Sequence, residues 1–153
     1  MNLPAEVFTD GSCHTQKCIG AWASIVFVDG QKTVLSGKEE NTTHNRMEIV
    51  AVIKAIEYIQ HNFTSIQNIN IVSDSQYVIG LIGREVKFES KNFLTNSGNE
   101  IRNIDLVKEL LELNKKFHLQ FIKIKAHQKK TEVINYNIEV DKLCREIVRE
   151  AVK

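Results

Sequence analysis

The chain contains no run of residues long and apolar enough to cross a bilayer. Its longest apolar stretch, residues 21–28 broken by Ser24, falls far short of the roughly 20 residues a membrane helix needs. No membrane partner is expected. The opening Met-Asn-Leu-Pro-Ala-Glu has neither the basic start nor the apolar run of a secretory signal, which points to a cytoplasmic, cytosol-like compartment. Cysteine is scarce: Cys13, Cys18 and Cys144 are odd in number and lack CxxC spacing. Neither a disulfide framework nor a structural zinc site suits that pattern, and reduced thiols are expected. Net charge is also small, at +1, so any attraction to phosphate has to come from local clustering and not from the total. One cluster exists. No acidic residue lies between Glu112 and Glu132, whereas Lys115, Lys116, Lys123, Lys125, Lys129 and Lys130 all do. A solvated lysine face accounts for it as readily as a phosphate-binding one. Internal repeats and low-complexity tracts are absent.

What is present describes a globular protein. Hydrophobic residues make up 42% and charged residues 25%, a balance that supports a core and excludes a disordered tail. At 153 residues the chain suits one domain, residues 1–153, and is short for two. Residues 6–10 read as a strand ending before Gly11, and residues 21–28 as a second strand. Asp29-Gly30 then marks a two-residue hairpin turn into a third strand over residues 33–37. From about His44 to Asn62, Ile49, Val52, Ile53, Ile56, Ile59 and Phe63 recur at helical spacing behind Thr42, Thr43 and Asn45, whose side chains suit a helix start. Residues 68–73 read as a buried strand, and residues 75–82 as a short helix. Residues 83–102 are polar and weakly periodic, a loop or an irregular helical excursion. A helix over residues 105–113, a strand over 117–125, a polar loop over 127–137 and a closing helix over 138–152 complete the order. That order is α/β, a mixed sheet covered by helices.

Four carboxylates stand in positions that surface residues seldom occupy. Stepping 100° per residue along the long helix, Lys54, Glu57 and His61 share one side, while Glu48 falls in the apolar sector of Val52, Ile56 and Ile59. A first-turn glutamate offsetting the helix dipole is the plain alternative. Asp10 closes the first strand, where a turn residue is equally natural. Asp74 follows the fourth strand just before a helix, the place of an N-cap. Asp141 lies at the margin of the closing helix's apolar stripe and is spaced to pair with Arg145 one turn on. In an open sheet, functional groups gather beyond the carboxyl ends of parallel strands, and Asp10 and Asp74 converge there if their strands are neighbours. Clustered carboxylates raise each other's pKa and call for a hard cation. Oxygen-only ligands suit Mg²⁺ or Mn²⁺.

Five motifs, in order and over nearly the whole chain, carry a family resemblance: Phe8-Thr-Asp10-Gly-Ser-Cys13, Asn45-Arg-Met-Glu48, Ser73-Asp74-Ser-Gln-Tyr77, Lys125-Ala-His127 and Asn137-Ile-Glu-Val-Asp141. Together they resemble a type 1 ribonuclease H of the stand-alone bacterial kind. The resemblance implies a ribonuclease H-like five-stranded mixed sheet with helices on both faces, its first three strands antiparallel. It also implies a monomeric endonuclease cutting the RNA strand of RNA–DNA hybrids to 5′-phosphate and 3′-hydroxyl ends. Asp10, Glu48, Asp74 and Asp141 take the metal positions for two Mg²⁺ ions, with Mn²⁺ a possible substitute. His127 takes the place of a loop histidine that assists proton transfer or product release. Cys13, Gln16, Asn45 and Gln76 match substrate-contacting positions, the last two reading the 2′-hydroxyl, and Thr43 matches a contact to the DNA phosphate. For Asn45 helix capping is the alternative, and for Gln76 an exposed first-turn side chain.

The chain departs from the family pattern in several places. The turn after Cys13 is His14-Thr-Gln-Lys-Cys18, with Gln16 at an asparagine's position, and His44 replaces a polar amide beside Asn45. Between residues 84 and 102, where many relatives carry a basic, tryptophan-containing handle, Arg84, Lys87, Lys91 and Arg102 face Glu85, Glu89 and Glu100, with no tryptophan. By charge count, a weaker grip on the hybrid is expected. The segment from His127 to Asp141 is longer than in the common bacterial form. Two other readings stay open at the level of sequence. One is the ribonuclease domain of a reverse transcriptase, and the other a non-catalytic hybrid-binding module.

Overall fold

The computed structural model describes residues 3–124 and 132–153. Five strands form one sheet: β1 (Ala5–His14), β2 (Ile19–Val28), β3 (Gln31–Glu39), β4 (Asn68–Ser73) and β5 (His118–Lys123), in the order β3-β2-β1-β4-β5. β1, β2 and β3 pair antiparallel, while β4 runs parallel to both β1 and β5. The mixed sheet expected from sequence is the one observed. The turn between β2 and β3 is made by Asp29 and Gly30, with φ of 50° and 77°. Both angles are left-handed, as a turn matched to the twist of a hairpin requires.

Helices cover both faces. α1 (His44–Asn62) packs against one face with α2 (Gln76–Gly83), α3 (Glu85–Ser90) and α4 (Ile104–Lys116) around Val7, Ile49, Ile56, Ile71 and Leu110. α5 (Glu132–Ala151) covers the other face, where Phe8, Ala23, Ile25 and Val72 meet Val140, Cys144 and Val148. The alternation of Val7 and Phe8 between the two cores follows from the two-residue period of a strand.

Two boundaries differ most from the sequence expectation, while residues 83–102 take the irregular helical course that was one of their two readings. β1 does not stop at Asp10 but continues to His14, because its two edges end at different points. The parallel ladder to β4 finishes at Phe8↔Val72, while the antiparallel ladder to β2 runs on to His14↔Ile19. α5 begins at Glu132 and not near Ile138. Its polar opening is held by Tyr136, whose ring lies 5.2 Å from Phe8 and 4.8 Å from Phe27, so tertiary packing outweighs weak local helix propensity. Residues 83–102 contain α3 and an isolated bridge between Leu94 and Glu100. There Phe88 is buried and stacks on Phe93 at 6.1 Å.

Candidate active site

Asp10 lies two residues beyond the last β1–β4 pair, so its side chain leaves the sheet where the parallel neighbour has ended. The next residue decides what can approach it. A Cβ on Gly11 would lie 2.6 Å from Glu48 N and 2.6 Å from the Met47 carbonyl carbon. Bare backbone at this one position lets the first turns of α1 sit directly on β1. Thr43 sets where that helix begins, its hydroxyl accepting from Arg46 N at 3.2 Å. Glu48 follows on the buried face, only 2% exposed, beside Asp10 at 5%.

Asp74 arrives from β4. The N-cap of α2 is Ser75, whose hydroxyl accepts from Val78 N at 3.2 Å, so the capping use considered for Asp74 is taken by its neighbour. One carboxylate oxygen each from Asp10, Glu48 and Asp74 falls within 4.8 Å of the others. Asp141 reaches the same cleft from α5. The cleft, of about 430 Å³, is lined by Asp10, Gly11, Ser12, His44, Glu48, Asp74, Asp141 and Arg145. Asp141 stands outside the tight group of three and accepts from Arg145 Nε at 3.1 Å, the i,i+4 pairing that its spacing had suggested.

The electrostatics are those of a site built for positive charge. Burial, then the charges of Glu48 and Asp74, push Asp10 up from 3.8 to about 9, with a smaller contribution from its side-chain contact with Glu48 and with the Gly11 amide opposing. Glu48 Oε2 is buried without a hydrogen-bond partner among the described residues. Each is unfavourable in a protein alone and is relieved by a cation among the oxygens. The donors are all carboxylates, which fits a hard divalent ion. His44 Nε2 lies 3.2 Å from Glu48 Oε1, and this hydrogen bond is the largest cause of its raised pKa. Beneath the site, the Cys144 thiol donates to the Asp10 carbonyl at 3.4 Å. Burial and the surrounding acids hold that thiol protonated, so it is packing and not a nucleophile.

Among the described residues, the others singled out in the sequence are not part of the cleft's lining. Thr43 caps α1, which leaves Asn45 exposed in its first turn and free of the capping role. Gln76 is exposed, its Oε1 accepting from Lys123 Nζ. Cys13 is half-buried and donates to the Thr42 carbonyl at 3.5 Å, and Gln16 is exposed in the turn between β1 and β2. His127 lies outside the described residues, as do Lys125, Lys129 and Lys130 of the lysine cluster. Lys115 is engaged with Glu89 at 3.0 Å and Glu112 at 3.6 Å, an ion-paired position and not an open phosphate contact. Gly11 and His44 matter to the geometry more than their sequence context suggested. The one signal for His44 was its spacing four residues before Glu48.

The RNase H family model matches residues 3–149. "Ribonuclease H" of Thermoanaerobacter sp. (strain X514) is 35% identical over 150 residues, covering 97% of this chain and 89% of that protein. "Ribonuclease H" of Caldicellulosiruptor saccharolyticus is 34% identical over 149 residues, covering 96% and 94%. Among solved structures, the crystal structure of LC9-RNase H1, described as a type 1 RNase H with the type 2 active-site motif, superposes with a TM-score of 0.80. It is 20% identical, covering 98% of this chain and 74% of that one, and it speaks for the fold alone.

Proposed function

The chain belongs to the RNase H family and is a ribonuclease that hydrolyses the RNA strand of RNA–DNA hybrids, and from that membership we propose that Asp10, Glu48, Asp74 and Asp141 form its catalytic metal site. The observation that carries this reading is the convergence of three carboxylates within 4.8 Å, with a Glu48 oxygen buried and unpartnered among the described residues. Two Mg²⁺ ions, or Mn²⁺ in their place, supply when bound an activated water and a counter-charge for the departing 3′-oxygen, giving 5′-phosphate and 3′-hydroxyl ends.

The chain's own residues hold and orient. Asp10 and Glu48 form the buried floor, and Asp74 and Asp141 stand at the more open side. Asp141 is half-buried and already bonded to Arg145, so it adjusts at lower cost than the two floor residues. His127 is assigned proton transfer or product release on the strength of its motif. Thr43, Asn45, Gln76, Cys13 and Gln16 are assigned substrate contact. Gln76 has its carbonyl oxygen taken by Lys123, which leaves its NH₂ group to donate to a 2′-hydroxyl or base edge. A reducing, cytoplasmic setting is supported by three free cysteines.

The test is cleavage of matched RNA–DNA hybrid, double-stranded RNA and DNA duplex with Mg²⁺, Mn²⁺ or EDTA. Hybrid alone should be cut, with metal only. Asp10→Asn should lose about 10²–10³-fold of the rate, the range expected for a group that stabilises transition-state charge; full Mg²⁺-dependent cleavage by Asp10→Asn would falsify the assignment.

A further inference from the structure

Among the described residues, the most deeply buried carboxylate has a partner on its own helix. His44 opens α1 and Glu48 follows four residues later. A four-residue step is slightly more than one turn, so the two side chains share a face. His44 Nε2 is 3.2 Å from Glu48 Oε1, with the imidazole 61% exposed and the carboxylate 2% exposed. The ring thus stands at the mouth of the cleft and the acid at its floor. A carboxylate only accepts, so Nε2 carries the hydrogen in this bond. Glu48 is thereby divided into two unlike oxygens. Oε1 is occupied by the ring, while Oε2 is buried with no hydrogen-bond partner among the described residues.

This division has a chemical consequence. A glutamate turns about three side-chain bonds, and a buried one without donors has little to fix its plane. Holding one oxygen from the outside restricts the plane of the carboxylate beside Asp10 and Asp74, each of which has an oxygen within 4.8 Å of a Glu48 oxygen. Outer partners of this kind set the direction and basicity of metal-binding carboxylates. We propose that His44 is a positioning residue for the metal site, fixing the Glu48 carboxylate through the Nε2–Oε1 hydrogen bond so that its second oxygen is presented to a divalent cation. The inference rests on the assignment of Glu48 as a metal ligand. It does not require His44 to touch the ion or to change its protonation, since the neutral ring donates equally.

The test is calorimetric titration of Mn²⁺ into the full chain and three variants, with melting of each metal-free protein alongside. His44→Ala removes the donor. His44→Gln keeps one, because the glutamine amide nitrogen extends about as far as imidazole Nε2. The expected result is about tenfold weaker Mn²⁺ binding in His44→Ala, the scale seen when an outer partner is removed, with His44→Gln within about threefold of wild type and the metal-free melting temperatures of both little changed. Equal Mn²⁺ affinity in His44→Ala and wild type would overturn the proposal, as would a His44→Gln variant no better than His44→Ala. Glu48→Gln separates the two levels of the argument. Loss of Mn²⁺ binding in Glu48→Gln together with wild-type binding in His44→Ala defeats the positioning role alone, whereas wild-type binding in Glu48→Gln defeats the metal site and the positioning role with it.

Discussion

At the scale of single residues, the site depends on an atom that is not there. Gly11 has an ordinary strand conformation, so its identity is not demanded by φ. It is demanded by backbone atoms of Met47 and Glu48, 2.6 Å from where a Cβ would sit. Those atoms belong to a helix and cannot turn aside as a side-chain tip does. Gly11→Ala is therefore expected to push the first turns of α1 off β1, with a loss of about 1–3 kcal/mol as in other overpacked sites. Activity should fall by more than that loss explains, since a displacement near 1 Å at reacting groups costs about 100-fold. Thermal melting and single-turnover cleavage on the same preparation check both halves, and a variant that melts low yet cuts normally would show that Glu48 had not moved. The sequence made Glu48 legible because an acid in an apolar sector breaks a periodic pattern. It could not show Gly11, whose neighbours lie 36 and 37 residues away in the chain. Asp74 and Asp141 show the same limit from the other side. Each had a local use open to it; Ser75 took the one, leaving Asp74 free of it, and Arg145 supplies the other, so Asp141 serves the cleft's rim while paired.

At the scale of elements, what was legible followed local chemistry and what was missed followed contacts at a distance. The bounds of α1 were readable from the threonines before it and the periodic isoleucines within it. The start of α5 was not, because Tyr136 is held by Phe8 and Phe27 across the sheet, and no local signal in a polar segment announces that. The end of β1 was missed because one strand has two partners of different length. Charge in and around α3 is the most consequential case. Counted along the sequence, its acids and bases nearly cancel, which led to the expectation of a weak grip on substrate. In space they separate: Glu85 and Glu89 turn toward Lys115 at 3.9 and 3.0 Å, while Arg84, Lys87 and Lys91 line a recess of about 200 Å³ that has no acidic residue in its lining. A one-sided basic face is a better electrostatic partner than its net charge suggests. Lys87→Ala combined with Lys91→Ala is expected to weaken hybrid binding and to flatten the slope of log affinity against log salt by up to about 2, at roughly 0.9 for each phosphate no longer neutralised. An unchanged slope would place this recess away from the substrate and restore the simpler expectation of a weak grip.

At the scale of the whole molecule, the sheet order sets a conflict between folding and function that pH exposes. Placing β1 beside β4 brings Asp10 and Asp74 to one end of the sheet, and α1 adds Glu48, so the metal-free fold must accommodate three acids together. Asp10 responds by holding its proton up to about pH 9, against an ordinary value of 3.8. Between those values the folded chain binds a proton that the unfolded chain has released, so stability falls as pH rises through that window. The sign is opposite to that of Asp105, whose carboxylate is held below its usual range by Arg46 at 2.9 Å and which withdraws stability only when pH falls through its lowered value. The metal-free protein is thus expected to melt progressively lower from about pH 5 to about pH 9, with a contribution from Asp10 of at most about 1.4 kcal/mol per pH unit. Asp10→Asn mimics the protonated carboxyl, and its metal-free melting curve should lie above that of wild type at about pH 8 and depend less on pH. Mg²⁺ or Mn²⁺ should raise the wild-type melting temperature most at the alkaline end, where no proton has to leave for the ion to bind, and should move Asp10→Asn far less. Calorimetric scans of both proteins at about pH 5, 7 and 9, with EDTA and with saturating metal, measure all of these differences. A wild-type protein that gained stability toward the alkaline end without metal, with Asp10→Asn following the same curve, would mean that the acids at the end of the sheet are already neutralised by the protein itself.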